Sequence, residues 1–305
     1  MPYLFTCPHC SAKTQVEDRY SGQSGECFTC GGAIEIPDFT GAAKHSATDM
    51  PLRPAARSMG KLIAAGVVLL LLVSLVFVIV QFGGSSVTRL AEVRKQRASL
   101  SNLETIAAAM NAYAADYGVY PPPMIRNAAG MPMHSWRVLL LPYLGEQTMY
   151  DGFDLGKPWN HPTNIDAAYM MPEVYLHPAD DSTIIGRAGY YMVTGKGTLF
   201  PPQGPLGPED VTDKPAQTIL LIAGAAPSNR AGGGWTEPLD YDFAKMRGVI
   251  NGNLGVEPGG MIKSGVTVVT VDGRGHFLPN EMPPATFNAL VTPRGNEPLA
   301  DDTLD

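Results

Sequence analysis

Residues 62–82 read LIAAGVVLLLLVSLVFVIVQF, without one charged side chain. At a helical rise of about 1.5 Å per residue such a run spans roughly 31 Å, the thickness of a bilayer's hydrocarbon core. A helix of a water-exposed domain is apolar along one stripe rather than all round. The expectation is a single transmembrane helix over 61–82 that divides the chain into a short head and a long body. The run begins well inside the chain, and no small-residue cleavage pattern follows it. It therefore reads as an uncleaved signal anchor.

All four cysteines lie in the head, and the body has none. Cys7-Pro-His-Cys10 and Cys27-Phe-Thr-Cys30 are two CxxC knuckles. Each knuckle presents two thiolates to one ion, and two knuckles complete a tetrahedral shell, so Cys7, Cys10, Cys27 and Cys30 read as zinc ligands. The competing reading is two disulfides or free thiols. Gly25, Gly31 and Gly32 flank the second knuckle, where tight turns need a permissive backbone. A segment this small buries too little apolar surface to fold unaided, so the metal is expected to supply most of its folding free energy. His9 sits inside the first knuckle as a rival ligand, but four thiolates already fill the shell. A shell filled by protein is structural rather than catalytic. The head also resembles a class of short bacterial zinc ribbons, through Cys7–Cys10, Val16-Glu17-Asp18, the turn at Ser21–Gly25, Cys27–Gly31 and the apolar strand at Ala33–Pro37. That resemblance implies a docking module.

The expected division is a zinc ribbon at 1–37, a flexible linker rich in Ala, Ser, Pro, Thr and Gly at 38–60, the transmembrane helix at 61–82, and an extracytoplasmic domain at 87–305. Basic residues flank the apolar run on both sides: Lys44, Arg53, Arg57 and Lys61 before it, Arg89, Arg94, Lys95 and Arg97 after it. The positive-inside rule is therefore nearly silent. Zinc thiolates persist in a reducing compartment. This favours an N-terminus in the cytoplasm, the helix in the inner membrane and the body outside, with the opposite topology as the alternative.

The body is acidic, with 12 Lys/Arg against 22 Asp/Glu from residue 98 onward. That balance argues against nucleic acid as its partner, because phosphate binding needs a basic surface. Leu90, Val93, Leu100, Leu103, Ile106, Ala107, Met110, Tyr113, Ala114 and Tyr117 recur mostly at steps of three and four. They predict an amphipathic helix over 87–117, ended by Gly118 and the prolines at 121–123. His134–Leu144 reads as a second helical segment up to Pro142. Short apolar strands follow at Gly189–Val193, Gln217–Ile222 and Gly265–Val271, and Asp272-Gly273 marks a hairpin leading to His276–Leu278. Residues 283–292 read as a short closing helix. A long helix followed by an antiparallel sheet is an α+β class.

The stretches Asn102-Leu103 through Asn111-Tyr113, Tyr117-Gly118 with Tyr120-Pro121-Pro122, Ser135-Trp136-Arg137 with the following apolar run, Gln147 through Tyr150, Pro158-Trp159 through Asn164 and His177-Pro178-Ala179-Asp180 are similar to a bacterial family of membrane-anchored, pseudopilin-like proteins of unknown function. Trp235-Thr236-Glu237-Pro238 and Val271-Asp272-Gly273 through Phe277-Leu278 extend the similarity. The resemblance implies a pilin-like fold, a long N-terminal helix laid on an antiparallel sheet, and a solute-binding-like label. Two features depart from the family. The apolar run lacks the early glutamate and the cleavage site of a prepilin. Ile262 stands where the family carries a histidine ten positions before the aspartate of its Asp-Gly turn.

Chemistry in the body is sparse. Met131-Pro-Met133-His134 offers soft ligands for Cu(I), with a plain loop as the bland reading. Asp151, Asp154, Asp180 and Asp181 offer oxygens without the spacing of a calcium loop. Asp240-Tyr241-Asp242 reads as a turn. Trp136, Trp159 and Trp235 read as core anchors or as stacking platforms. Arg137, alone among apolar neighbours, calls for a buried ion pair with an acidic residue of the long helix. No nucleophile and base pattern appears, so the chain is expected not to be an enzyme. The expected partners are the membrane and unidentified proteins, with self-assembly through the long helix as a further mode. The alternative is an extracytoplasmic solute-binding or sensing protein that takes its ligand among loops near Trp159 and Trp235.

Overall fold

Each cysteine knuckle sits at the turn of a short hairpin. A computed structural model describes residues 3–39, 59–78, 84–182, 186–227 and 234–304. The chain divides into two units, Met1–Leu75 and Val76–Asp305. In the first, β1 (Tyr3–Thr6) pairs antiparallel with β2 (Lys13–Val16), and β3 (Ser24–Glu26) with β4 (Ala33–Glu35). Cys7 and Cys27 are the only buried residues described within 3–39. Most of the expected linker, 40–58, lies outside the described residues.

Helix α1 (Met59–Val78) follows. Among the described residues no helix is long and apolar enough to cross a membrane. This overturns the expected transmembrane helix at 61–82 and, with it, the single-pass inner-membrane placement with a cytoplasmic N-terminus. The physical reason is length: beyond Lys61, α1 holds residues 62–78, which advance about 26 Å against a hydrocarbon core of about 30 Å. Residues 79–83, where the expected span would finish, lie outside the described residues.

The second unit is α+β. Its long helix α2 runs Gly84–Tyr117. It stops where Gly118, at φ 77°, donates its N–H to the Ala114 carbonyl. Next come β5 (Met124–Arg126), β6 (Pro132–Ser135), α3 (Trp136–Leu139), α4 (Gln147–Asp151) and α5 (Pro162–Ala168). The remaining elements are β7 (Tyr190–Tyr191), β8 (Val193–Thr194), β9 (Ile219–Ala223), β10 (Tyr241–Asp242), β11 (Gly265–Thr270), β12 (Gly275–Pro279) and α6 (Pro284–Val291). The main sheet is antiparallel in the order β12-β11-β9-β7, and β8 pairs with β10 in parallel. The Asp272-Gly273 turn closes the β11–β12 hairpin, with Gly273 at φ 85° and Val268 opposite His276.

Helix α2 packs on β9, β11 and β12. Ser99, Leu103, Ile106, Ala107, Met110 and Ala114 are buried there, at the spacing of one helical face. Each large apolar side chain contributes roughly 1.5–3 kcal/mol by leaving water. Leu90, Val93 and Tyr117 stay exposed, so the buried stripe is shorter than the apolar pattern. Strands β9 and β11 are buried along their whole length, so both faces of the sheet are covered.

His134–Leu144 departs from the expected helix. His134 and Ser135 pair with Ile125 and Met124 as strand, and the Ser135 hydroxyl then caps a single helical turn by accepting from the Arg137 N–H. Pro142 opens a separate 3-10 turn, Pro142–Leu144.

Candidate metal centre and buried polar clusters

The two knuckles have the same backbone design. Cys7 N–H donates to Ala12 and Ser11 N–H to Cys7; Cys27 N–H donates to Gly32 and Gly31 N–H to Cys27. Ser11 and Gly31 both take left-handed backbone, at φ 58° and 69°. This turn aims both sulfurs of a knuckle to one side. The four Sγ atoms of Cys7, Cys10, Cys27 and Cys30 lie within 4.8 Å of one another and can hold a metal ion. Across the knuckles Cys7 and Cys30 are 3.9 Å apart, and Cys10 and Cys27 are 3.7 Å apart. A tetrahedron with metal–sulfur bonds of about 2.3 Å has edges of about 3.8 Å. The sulfurs thus fit a zinc-sized ion and lie too far apart for disulfides, whose S–S bond is about 2 Å. His9 is no part of the set. Its Nε2 meets the Ala33 carbonyl at 2.9 Å and its ring lies against Gly32, so it ties one knuckle to the other.

Backbone N–H groups of Cys30 and Thr29 favour the Cys27 thiolate and bring its pKa down to about 6. At Cys10 the Ala12 amide works in the same direction. Thiol hydrogen bonds, that from Cys30 foremost, together with lost hydration outweigh it and push Cys10 up to about 12. A metal held by Cys7, Cys10, Cys27 and Cys30 would displace their thiol protons.

In the second unit Arg137 is buried, and its partner is not on α2 as expected. Its Nη2 lies 3.5 Å from Oδ1 of Asp240 and donates to the Tyr190 carbonyl at 2.5 Å, while Nη1 donates to the Ser135 hydroxyl at 2.9 Å. Trp136 Nε1 and Met192 N–H donate to the same Asp240 oxygen, at 3.1 and 2.9 Å. Burial raises the Asp240 carboxyl to about 6, against the pull of Arg137 and of those donors. The guanidinium also lies 4.4 Å from the Trp136 ring centre and 4.9 Å from that of Tyr191. Asp240 could not be picked out from the chain, because no local pattern links it to Arg137.

The tryptophans mostly anchor this core. Trp136 and Trp235 are fully buried, with Tyr175 edge-on to the first at 6.1 Å and stacked on the second at 5.9 Å. Trp235 Nε1 donates to the Ala168 carbonyl at 2.8 Å. Trp159 is half-buried.

Ser99 Oγ lies 3.1 Å from His177 Nε2 and 2.7 Å from Thr267 Oγ1, all three buried. This pair is not poised as nucleophile and base. The Ala179 N–H donates to His177 Nδ1, so Nε2 carries the ring proton and donates to Ser99, whose hydroxyl shares a hydrogen bond with that of Thr267. Ser99 is a polar residue on the apolar face of α2, which was the available sign of it. Burial lowers the His177 pKa to about 4. Its neutral form is favoured by folding, so the stability it contributes is full above about 6.5 and is lost as pH falls towards 4. The loss is up to about 3 kcal/mol. Denaturant unfolding at pH 7.5 and 4.5 is expected to show that acidification costs the native chain about 2–3 kcal/mol more than it costs His177→Gln, a difference from which groups common to both cancel.

The remaining candidates do not assemble. Met133 and His134 are neighbours on β6, so their side chains leave opposite faces, and Met131 is exposed. His134 is buried against Phe153, and neither ring nitrogen has a hydrogen-bond partner of good geometry among the described residues. Asp151 accepts from Gln147, Asp154 from the Gly156 N–H and Asp180 from the Ser182 N–H, each a local cap. Ile262 is buried. Among the described residues the four cysteines form the one cluster able to hold a metal.

Residues 96–218 match the model of a family described as a protein of unknown function, DUF1559, with the short label SBP_bac_10. The match runs from α2 to the threshold of β9 and fits a solute-binding-like label. It does not itself bear on a pseudopilin identity or on the histidine that precedes the Asp-Gly turn in the resembling family. No curated protein and no solved structure matches the chain.

Proposed function

We propose that the chain is a non-enzymatic interaction protein whose ribbon, folded around a structural zinc ion, docks a protein partner. The observation that carries this reading is the closed four-sulfur cluster. Four thiolates at tetrahedral spacing suit zinc and leave no open position for substrate or water. Phe28 supports the docking role. It stands fully exposed inside the second knuckle, on a turn that the metal would hold rigid, and Leu4 and Tyr20 are exposed in the same unit. Aromatic side chains fixed in water are characteristic anchors for a partner's pocket. In the second unit, the long helix on an antiparallel sheet supports a pseudopilin-like module, with exposed Leu90 and Val93 on α2 available for self-assembly. The test is crosslinking in cells followed by identification of the captured proteins. Phe28→Ser is expected to keep the full metal content and to lose most of the captured partner. Unchanged capture, or capture of no protein by the native ribbon, contradicts the reading.

The second reading is solute binding by the body, supported by the label of the matching family. The loops around Trp235 are not its site, because that ring is closed into the core.

A further inference from the structure

A cavity of about 550 Å³ lies among residues 122–126, 200–205 and 238–242. We propose that it binds a small organic cation, a primary ammonium on a compact ring or short chain, with an ammonium N–H donating to Oδ2 of Asp240. The inference goes beyond the docking role of the ribbon. It deepens the solute-binding reading, on which it rests.

Asp240 carries the argument. Its side chain is only 4% exposed, and it lines the cavity. Arg137, Trp136 and Met192 all address Oδ1. Oδ2 receives no hydrogen bond among the described residues. A carboxylate has acceptor positions on both oxygens, and Oδ2 is not among the buried side-chain atoms left without a partner, so a donor from water or a ligand can reach it. The cavity is where a donor can reach it. Asp242 is a second carboxylate on the same wall, 41% exposed and paired with Lys245. Arg126, the cation of the lining, gives Nη1 to the Gly130 carbonyl at 2.8 Å. Pro122, Pro123, Phe200, Pro201 and Leu239 supply apolar wall for the ligand body. A cavity of this volume is the size of ordinary small-molecule sites, which combine apolar walls with a few fixed polar groups.

The experiment is ligand-observed NMR on the full chain at pH 7.5. Benzylamine, protonated at that pH, is compared with benzyl alcohol, its neutral counterpart. Gln203 is exposed and lines the cavity, so Gln203→Trp obstructs the space without touching the Arg137–Asp240 pair. The expected result is that benzylamine binds at least tenfold more tightly than benzyl alcohol, and that Gln203→Trp weakens it at least tenfold with an unchanged melting temperature. Equal affinity for the two probes, lost in Gln203→Trp, overturns the cation assignment and leaves the solute-binding reading standing. Benzylamine binding that Gln203→Trp does not alter overturns the site. Absence of binding by either probe overturns the proposal and removes this cavity from the solute-binding reading.

Discussion

Replacing Cys27 with serine is expected to release the metal and unfold residues 3–37 while the body stays folded. Among the described residues the head has no apolar core to fall back on, since the buried ones there are Cys7 and Cys27, two of the ligands themselves. Structural zinc in ribbons and fingers contributes an apparent binding free energy of about 10–16 kcal/mol, and a serine hydroxyl does not replace a thiolate as a ligand. Two antiparallel pairs of three or four residues are far below what holds alone in water. Metal content should fall from one ion per chain to nearly none. The dispersed amide resonances of the head should collapse to the random-coil region, while those of the unit Val76–Asp305 persist. A dispersed head in the metal-free variant would show that the strands carry their own stability.

Arg137→Ala is the second large expectation, a loss of about 3–5 kcal/mol from the body. The deletion leaves the Asp240 carboxylate buried without its cation, empties the space beside Trp136 and Tyr191, and removes a donor from the Tyr190 carbonyl. In a unit of this size that corresponds to a fall in melting temperature of roughly 6–20 °C. The double variant Arg137→Met with Asp240→Leu should lose less than the two single changes added together, because a buried pair is dearest when one member remains alone. Asp240 also has a pH signature opposite to that of His177. Its carboxyl is raised to about 6 in the fold, so folding favours the protonated form. The stability from that preference is present at low pH and is lost as pH rises from about 4 to about 6. Asp240→Asn removes this decline, and urea unfolding at pH 4, 5 and 7 measures it. Simple additivity of the single changes would show that the pair is not coupled.

What could be read from the chain was what local rules write locally. The two CxxC knuckles are short turns with fixed spacing, and their four sulfurs meet as the spacing implied. The three- and four-residue steps of α2 and the Asp-Gly turn of the β11–β12 hairpin are equally local. His134–Leu144 was misread because its apolar residues are compatible with both periods. Pairing of His134 with Ile125 and the Ser135 cap decided the matter, and both depend on chain folded elsewhere. Asp240 lies 103 residues from Arg137, and only the folded sheet brings them together. The length expected of the membrane helix assumes that the whole apolar run, 62–82, is helical, whereas the described α1 ends at Val78 and is not long and apolar enough to cross a membrane.

The most direct test of the account is X-ray absorption at the zinc edge of the purified full chain, together with its metal content. One zinc per chain surrounded by four sulfurs at about 2.3 Å is the predicted result. A shell containing nitrogen or oxygen, or a folded head whose cysteines hold no metal, would contradict it.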